Sequence, residues 1–273
     1  MRKNLTLLSL RQGKFAIGTW LQMNSFHAAR LLAGQGFFHW LLLDLEHTPY
    51  DYPTAAIIMS TISDISDGRI TPLVRVPVGS IEHIKSALDC GAQGIIVPMI
   101  NTADDVKRAV AYARFPPDGK RGGGGLAPHL GFGVNRPQYL SAANQEILVG
   151  IQIETKESID NLDEILDVPG VDLFFIGPND LHMSLGLPAR FWSDEPTFVS
   201  ATEKVIKGCK KRNIPVGTLC REASQVKERM QDGLTFLGMG SDAHFMLTFA
   251  GQQYGQLNNL EEPAETWCNS VNL

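Results

Sequence analysis

The sequence has little cysteine, and the spacing of its cysteines excludes the common cysteine-based sites. Cys90, Cys209, Cys220 and Cys268 form neither a C-x-x-C pair nor a zinc-type pattern. A disulfide framework is not expected from four such scattered residues in a chain of 273. We therefore expect reduced structural thiols, as in a protein of the reducing cytosol.

Basic blocks and long apolar runs are also missing. The formal net charge is −5, and lysine and arginine are dispersed, so neither nucleic acid nor an anionic membrane is an expected partner. No stretch could span a bilayer, and residues 1–15 lack the apolar core and cleavage site of a signal peptide. These features predict a cytoplasmic protein. The negative net charge does not exclude an anionic substrate, because a binding site for an anion needs only one local arginine or metal ion.

Several familiar catalytic motifs are absent too. There is no G-x-S-x-G elbow and no Rossmann fingerprint, and the glycines Gly122 to Gly125 are not followed by the lysine and serine of a phosphate-binding loop. These glycines favour a mobile loop near a site. Lys156 is the lysine nearest to a strand end, but it follows Glu154 in the start of the next helix, which disfavours a Schiff-base mechanism.

What the sequence does contain is an alternation of eight short apolar runs with helical patterns. The runs predict strands at residues 15–20, 40–44, 71–76, 94–97, 148–153, 173–176, 216–219 and 236–239. Helices are predicted between them, including one at residues 158–166, and residues 115–136 form one long irregular segment. The pattern predicts an α/β fold, a single (β/α)8 TIM barrel over residues 1–273 with a C-terminal helical extension. Residues 255–273 read as a tail, and an open doubly wound sheet is the alternative.

Two carboxylates follow neighbouring predicted strands. Glu154 comes directly after the strand at residues 148–153 and shares the parity of Gln152, and Asp180 follows the next strand after a Gly-Pro step. Parallel strands end at the same rim, so these carboxylates can supply oxygen ligands to a hard divalent cation while water and substrate complete its shell. A helix-capping Asp180 beside an ordinary Glu154 is the alternative interpretation.

Other polar and aromatic side chains fall at the same predicted rim. They are Trp20, Asp44, Glu46, His47, Arg75, Gln152 and Asn179. Singly, Asp44 and His47 can be read as a capped turn and Arg75 as part of a rim salt bridge. Together at the carboxyl ends of barrel strands, where barrel enzymes keep their chemistry, they indicate an active site.

With these residues in view, the chain resembles the HpcH/HpaI family of class II pyruvate aldolases. That group includes hydroxy-oxo-heptanedioate, dehydro-deoxy-glucarate and keto-deoxy-rhamnonate aldolases, and macrophomate synthase. The similarity runs from Gly18 to about Met246. Its most specific pieces are LDLEH at 43–47, VR at 74–75, VPM at 97–99, YARFPPDGKRG at 112–122, QIET at 152–155 and FIGPNDL at 175–181.

The resemblance implies reversible retro-aldol cleavage of a 4-hydroxy-2-oxo acid to pyruvate and an aldehyde through a metal-stabilised pyruvate enolate. It implies that Glu154 and Asp180 are the ligands of a divalent Mg, Mn or Co ion. It also implies that His47 with Asp44 is the acid/base dyad, and that Arg75 stabilises the enolate oxygen.

The resemblance further implies a pyruvate pocket and an assembly. Gln152 would help Arg75 to hold the pyruvyl group, and Trp20 would form a wall. The substrate carboxylate would be received by the segment that contains Gly177, Pro178 and Asn179. The small-molecule partners would be a 2-oxo acid and an aldehyde, and the protein would be a homo-oligomer, a trimer or hexamer.

Three segments depart from the family pattern and are expected to shape the aldehyde pocket. Asn179 replaces a small residue, residues 123–134 lack an expected arginine, and residues 218–221 differ from the usual aliphatic wall. One alternative is an oxaloacetate decarboxylase or macrophomate-synthase-like enzyme that uses the same enolate. A second is a non-catalytic oligomer that binds a keto acid. The apolar segment at residues 244–249 is a candidate oligomer contact.

Overall fold

The structure is a computed structural model that describes residues 1–124 and 135–257. Eight parallel strands form a closed ring in which each strand pairs with its sequence neighbours and the last pairs with the first. The strands are β1 Ala16–Leu21, β2 Trp40–Asp44, β3 Thr71–Arg75, β4 Gly94–Val97, β5 Leu148–Ile153, β6 Leu173–Ile176, β7 Val216–Cys220 and β8 Phe236–Ser241. The predicted (β/α)8 barrel is confirmed, and the open-sheet alternative is wrong.

The described helices surround this barrel. They are α1 Leu5–Arg11, α2 Phe26–Gln35, α3 Tyr52–Ile65, α4 Ile81–Asp89, α5 Ala103–Ala113, α6 Arg136–Glu146, α7 Lys156–Asp160, α8 Leu162–Leu166, α9 Pro178–Ser184, α10 Pro196–Lys211, α11 Ala223–Gln231 and α12 Asp242–Gly255. The C-terminal helical extension is α12. In the described ranges, no helix is both long and apolar enough to cross a membrane.

The helices differ from the prediction in two places. The helix expected at residues 158–166 is two short helices, because Asn161 leaves the helical conformation at φ −95° and ψ 14° between α7 and α8. Helices α6 and α9 were not predicted from the sequence. The first has only Tyr139 and Ala143 buried, so it lacks an apolar stripe, although Asn135 and Gln138 form a capping box at its start.

Large side chains fill the barrel below its carboxyl rim. The rings of Trp40 and Phe236 stack inside it, with centroids 4.3 Å apart and planes 4° from parallel. Gly18 makes room for this stack, since a Cβ at that position would lie 2.0 Å from the Trp40 ring. Trp20 packs on Phe175 nearer the rim, at a centroid distance of 6.0 Å. The barrel interior is therefore a packed core, and a ligand-sized cavity lies above it at the carboxyl rim.

Candidate active site

A cavity of about 750 Å³ opens over the carboxyl ends of the strands. The predicted site residues that line it are Trp20, His47, Arg75, Gln152, Gly177, Pro178, Asn179 and Asp180. The other two, Asp44 and Glu154, are buried, and they contact the lining residues Arg75 and Gln152. The structure thus brings the ten predicted residues to one place.

The best-defined pair in the site is Asp44 with Arg75. The two residues end adjacent strands in register, β2 and β3. Arg75 donates from Nε to Asp44 Oδ1 at 2.9 Å and from Nη2 to Oδ2 at 2.6 Å, and its guanidinium lies 4.4 Å from the centroid of the Trp20 ring. Burial acts to raise the pKa of Asp44, but the hydrogen bond and charge of Arg75 outweigh it and hold that pKa below its ordinary value. Arg75 is therefore a fixed cation at the cavity wall.

The remaining lone pairs of Asp44 are also occupied. Gln22 donates to Oδ2 at 3.2 Å, and the backbone N–H groups of Glu46 and His47 donate to Oδ1 at 3.2 and 3.4 Å. In the described part of the chain, no hydrogen bond joins the Asp44 carboxylate to the imidazole of His47. Asp44 thus contacts the backbone of His47 and not its ring, and the role of the two residues as an acid/base dyad stays a prediction.

The ring of His47 faces a different carboxylate. Its Nε2 lies 3.6 Å from Glu46 Oε2, and the same oxygen lies 3.1 Å from Arg75 Nε. The side chain of His47 is 58% exposed, whereas that of Glu46 is 16% exposed. Burial raises the pKa of Glu46 to about 7; Arg75 opposes the rise, and the nearby Asp44 and Asp180 charges add to it.

Glu154 is a buried carboxylate without a cationic partner. Its Oε1 accepts from the backbone N–H of Met99 at 2.7 Å, and its Oε2 accepts from the side-chain amide of Gln152. No lysine, arginine or histidine within residues 1–124 and 135–257 forms an ion pair with Glu154 or Asp180. Burial raises the pKa of Glu154 to about 7, against the two hydrogen bonds, and the charges of Asp180 and Glu46 raise it further.

These carboxylates suit a hard divalent cation. Uncompensated negative charge in a buried site is costly, and a bound cation removes that cost. Gln152 Oε1 is buried and makes no hydrogen bond with any of the described residues, so it is a further acceptor in the site. Over the described ranges no cluster of three or more histidine, cysteine, aspartate or glutamate side chains forms a complete metal cage. Glu154 and Asp180 therefore fit an open site in which water and substrate supply the other ligands.

Two contacts in the site were not predicted. Gln22, which bonds Asp44, follows Trp20 by two residues, and this shared parity was the available signal. Met99 holds Glu154 through its backbone, and its positive φ of 55° gives no clear signal in the sequence.

The far side of the cavity is largely apolar and ends in an arginine. Phe191, Leu219 and Leu247 contribute apolar surface, and Arg221 stands at the exposed edge. The Arg221 guanidinium forms no ion pair with any residue that the structure describes. Residues 125–134, which hold most of the departing glycine-rich segment, lie outside the described residues, as does the tail at residues 258–273.

The fold and the site define a (β/α)8-barrel enzyme with a fixed arginine and a carboxylate pair at its carboxyl rim. The family model described as HpcH/HpaI aldolase/citrate lyase matches residues 16–248. The chain belongs to this family and is a carbon–carbon lyase of the aldolase group. The predicted family is thereby confirmed.

Individual relatives agree with this assignment. The chain is 36% identical over 234 residues to a 4-hydroxy-2-oxo-heptane-1,7-dioate aldolase of Shigella sonnei, and the match covers 86% of this chain and 87% of that protein. A solved HpcH/HpaI aldolase/citrate lyase family protein from Burkholderia cenocepacia aligns with a TM-score of 0.86 at 31% identity, over 94% of this chain and 100% of that one. Macrophomate synthase shares the fold, with a TM-score of 0.83 at 21% identity over 95% and 91% of the two chains.

Proposed function

We propose that this protein is a metal-dependent class II aldolase that reversibly cleaves a 4-hydroxy-2-oxo acid into pyruvate and an aldehyde. The observation that carries the proposal is the buried Glu154, which is close enough to Asp180 to feel its charge, while no cationic side chain within residues 1–124 and 135–257 forms an ion pair with either carboxylate. Arg75, a fixed cation that lines the same cavity as Asp180, supports a site for a 2-oxo acid. The relatives named as 4-hydroxy-2-oxo-heptane-1,7-dioate aldolases support the same reaction class.

Different residues are assigned to the metal ion, the enolate oxygen and the pyruvyl group of the 2-oxo acid. A divalent Mg, Mn or Co ion held by Glu154 and Asp180 would supply Lewis-acid activation of the 2-oxo group. Arg75 places its guanidinium where negative charge develops on the enolate oxygen, and its bonds to Asp44 keep it there without reorganisation. Gln152 lines the same cavity, and its side-chain amide N–H group, a donor, is assigned to the oxygens of the pyruvyl group.

The substrate carboxylate is assigned to the segment after β6, and Trp20 forms the wall on which Arg75 is stacked. Gly177, Pro178 and Asn179 line the cavity there. Without a side chain, Gly177 leaves a ligand free to approach the Glu154 carboxylate closely.

Proton transfer is assigned to His47. In the cleavage direction its imidazole accepts the proton of the C4 hydroxyl group. The C3–C4 bond then breaks, its electron pair passes to C3 of the pyruvate enolate, and the aldehyde leaves. The same proton is returned to C3, which forms the pyruvate methyl group, so no net proton is consumed.

The aldehyde is assigned to the far side of the cavity. Phe191, Leu219 and Leu247 suit an apolar chain, and the unpaired Arg221 suits an anionic group at its end. The dioate in the relatives' name places a carboxylate at that end of their substrate.

A homo-oligomer, a trimer or hexamer, is also proposed. Met246, Leu247 and Phe249 of α12 are 54–64% exposed, which is unusual for adjacent large apolar side chains. Light scattering in solution measures the mass that decides the number of subunits.

Hydrogen exchange at the pyruvate methyl group tests the reaction class directly. We expect NMR in D2O to show exchange with Mg²⁺ or Mn²⁺, loss of exchange in EDTA, and loss in Glu154→Gln. The matched control is Glu164→Gln, an exposed glutamate on α8, which should exchange like the wild type. No exchange with any divalent ion would contradict the proposal. An aldehyde panel run beside oxaloacetate then separates aldol cleavage from decarboxylation, since both would yield the same enolate.

A further inference from the structure

The imidazole of His47 needs a partner to fix its tautomer and orientation if it is to transfer protons. Asp44 has no capacity left for that task. It is fully buried, and its two oxygens already accept from Arg75, Gln22 and two backbone N–H groups. A carboxylate with two oxygens offers about four lone-pair sites, and five donor atoms surround this one.

Glu46 has the capacity that Asp44 lacks. Its Oε2 is buried yet makes no well-formed hydrogen bond, although it lies between His47 Nε2 at 3.6 Å and Arg75 Nε at 3.1 Å. The separation of 3.6 Å closes to a hydrogen bond with a small rotation of the exposed imidazole, since catalytic contacts are commonly long before substrate binds.

We propose that Glu46 is the positioning residue of His47. It would orient the imidazole, the role that the resemblance implies for Asp44. Glu46 accepts from the Nε2–H of His47 and so leaves Nδ1 as the basic nitrogen that takes the substrate proton. When the ring is protonated at Nδ1, the Glu46 carboxylate stabilises the cation, and the proton then passes on to C3. This inference rests on the proposed aldolase function.

A positioning role and a purely structural role of Glu46 predict different kinetics. A residue that only orients the catalytic base changes kcat for exchange and leaves KM for pyruvate near its wild-type value. A carboxylate at this position stabilises the imidazolium ion and an amide does not, so Glu46→Asp should recover part of the rate that Glu46→Gln loses.

The experiment measures kcat and KM for pyruvate methyl exchange at saturating Mn²⁺. The proteins are wild type, Glu46→Gln, Glu46→Asp, Asp44→Asn and the exposed control Glu164→Gln. We expect Glu46→Gln to lower kcat about ten- to hundredfold, the value of one hydrogen bond to a charged group, while KM for pyruvate changes little. Glu46→Asp keeps the charge and should exchange faster than Glu46→Gln.

Asp44→Asn should behave differently, because its main effect is on the anchoring of Arg75. We expect a raised KM for pyruvate in Asp44→Asn. The effects on kcat and on KM therefore distinguish the two carboxylates. Thermal melting identifies any variant that does not fold, and Glu46→Asp then carries the comparison.

The outcomes separate the two levels of inference. Exchange in wild type with an unchanged kcat in Glu46→Gln would overturn the role of Glu46 alone and leave the aldolase assignment standing. A lowered kcat with an unchanged KM in Asp44→Asn, together with a wild-type kcat in Glu46→Gln, would return the role to Asp44. No exchange in wild type would overturn the proposed function and this inference with it.

Discussion

A methyl group added at Gly177 tests whether the spacing around Glu154 controls activity. Gly177 connects β6 to α9 with φ −86° and ψ 94°, a conformation that alanine adopts without strain. A Cβ there would lie 2.7 Å from Glu154 Oε2, 2.9 Å from Glu154 Cβ and 3.0 Å from Gln152 Nε2. Gly177→Ala therefore acts by steric contact with Glu154 and Gln152 and not by backbone strain.

The size of the effect follows from these contacts. Ordinary contact begins near 3.4 Å, so the Glu154 carboxylate must move by about 0.7 Å, the difference between 3.4 and 2.7 Å. A misplacement of that order costs about 10²-fold in rate, and overpacking costs about 1–3 kcal/mol of unfolding free energy. We expect kcat/KM to fall about 100-fold and Mn²⁺ binding to weaken, while the protein remains folded at 25 °C.

The assay pairs exchange kinetics with Mn²⁺ titration calorimetry and urea unfolding. Gly34→Ala on α2 is the matched control, because its Cβ would meet only Ile65 Cγ2 at an ordinary 3.6 Å. That variant should keep wild-type kinetics and metal affinity. Wild-type kinetics and metal affinity in Gly177→Ala would refute the argument that this glycine sets the carboxylate position.

Three further outcomes follow from the ion pairs. Arg75→Lys loses the two-point contact and should lower kcat/KM for pyruvate exchange about 10²-fold, measured by NMR. Arg114→Met removes a buried guanidinium that donates to Asp172 and to two backbone carbonyls, while Arg11 remains as the exposed partner of Asp172. It should lower the unfolding free energy by about 1–3 kcal/mol in urea, against less than about 1 kcal/mol for the surface variant Arg212→Met. The raised pKa of Glu46 means that the folded state binds its proton more tightly than the unfolded state does. The unfolding free energy of wild type should therefore fall relative to that of Glu46→Gln as the pH rises from 4.5 to about 7 in EDTA. Equal slopes of unfolding free energy against pH in the two proteins would contradict this.

The fold was predictable because each strand of the barrel has a recognisable local amino-acid composition. The strands are mostly apolar and β-branched and are largely buried on both faces, so the eight runs are visible without tertiary information. Helix α6 was not visible because its capping box and proline act at its start, while its sequence lacks the apolar stripe that periodicity detects. The break at Asn161 depends on backbone angles that many residues can adopt, so its position is not encoded by residue type.

The sequence predicts which residues lie at the site better than it predicts which of them contact one another. Parity and strand ends place a side chain on the rim, but they do not say which carboxylate touches which base. A local rule was nevertheless available at Asp44, since an aspartate followed by a turn commonly accepts the backbone N–H groups two and three residues later. Here those groups belong to Glu46 and His47, and Arg75 occupies both oxygens from the next strand. Because Asp44 is hydrogen-bonded to its own turn and to Arg75, Glu46 is the other acid in this motif that can contact the imidazole of His47.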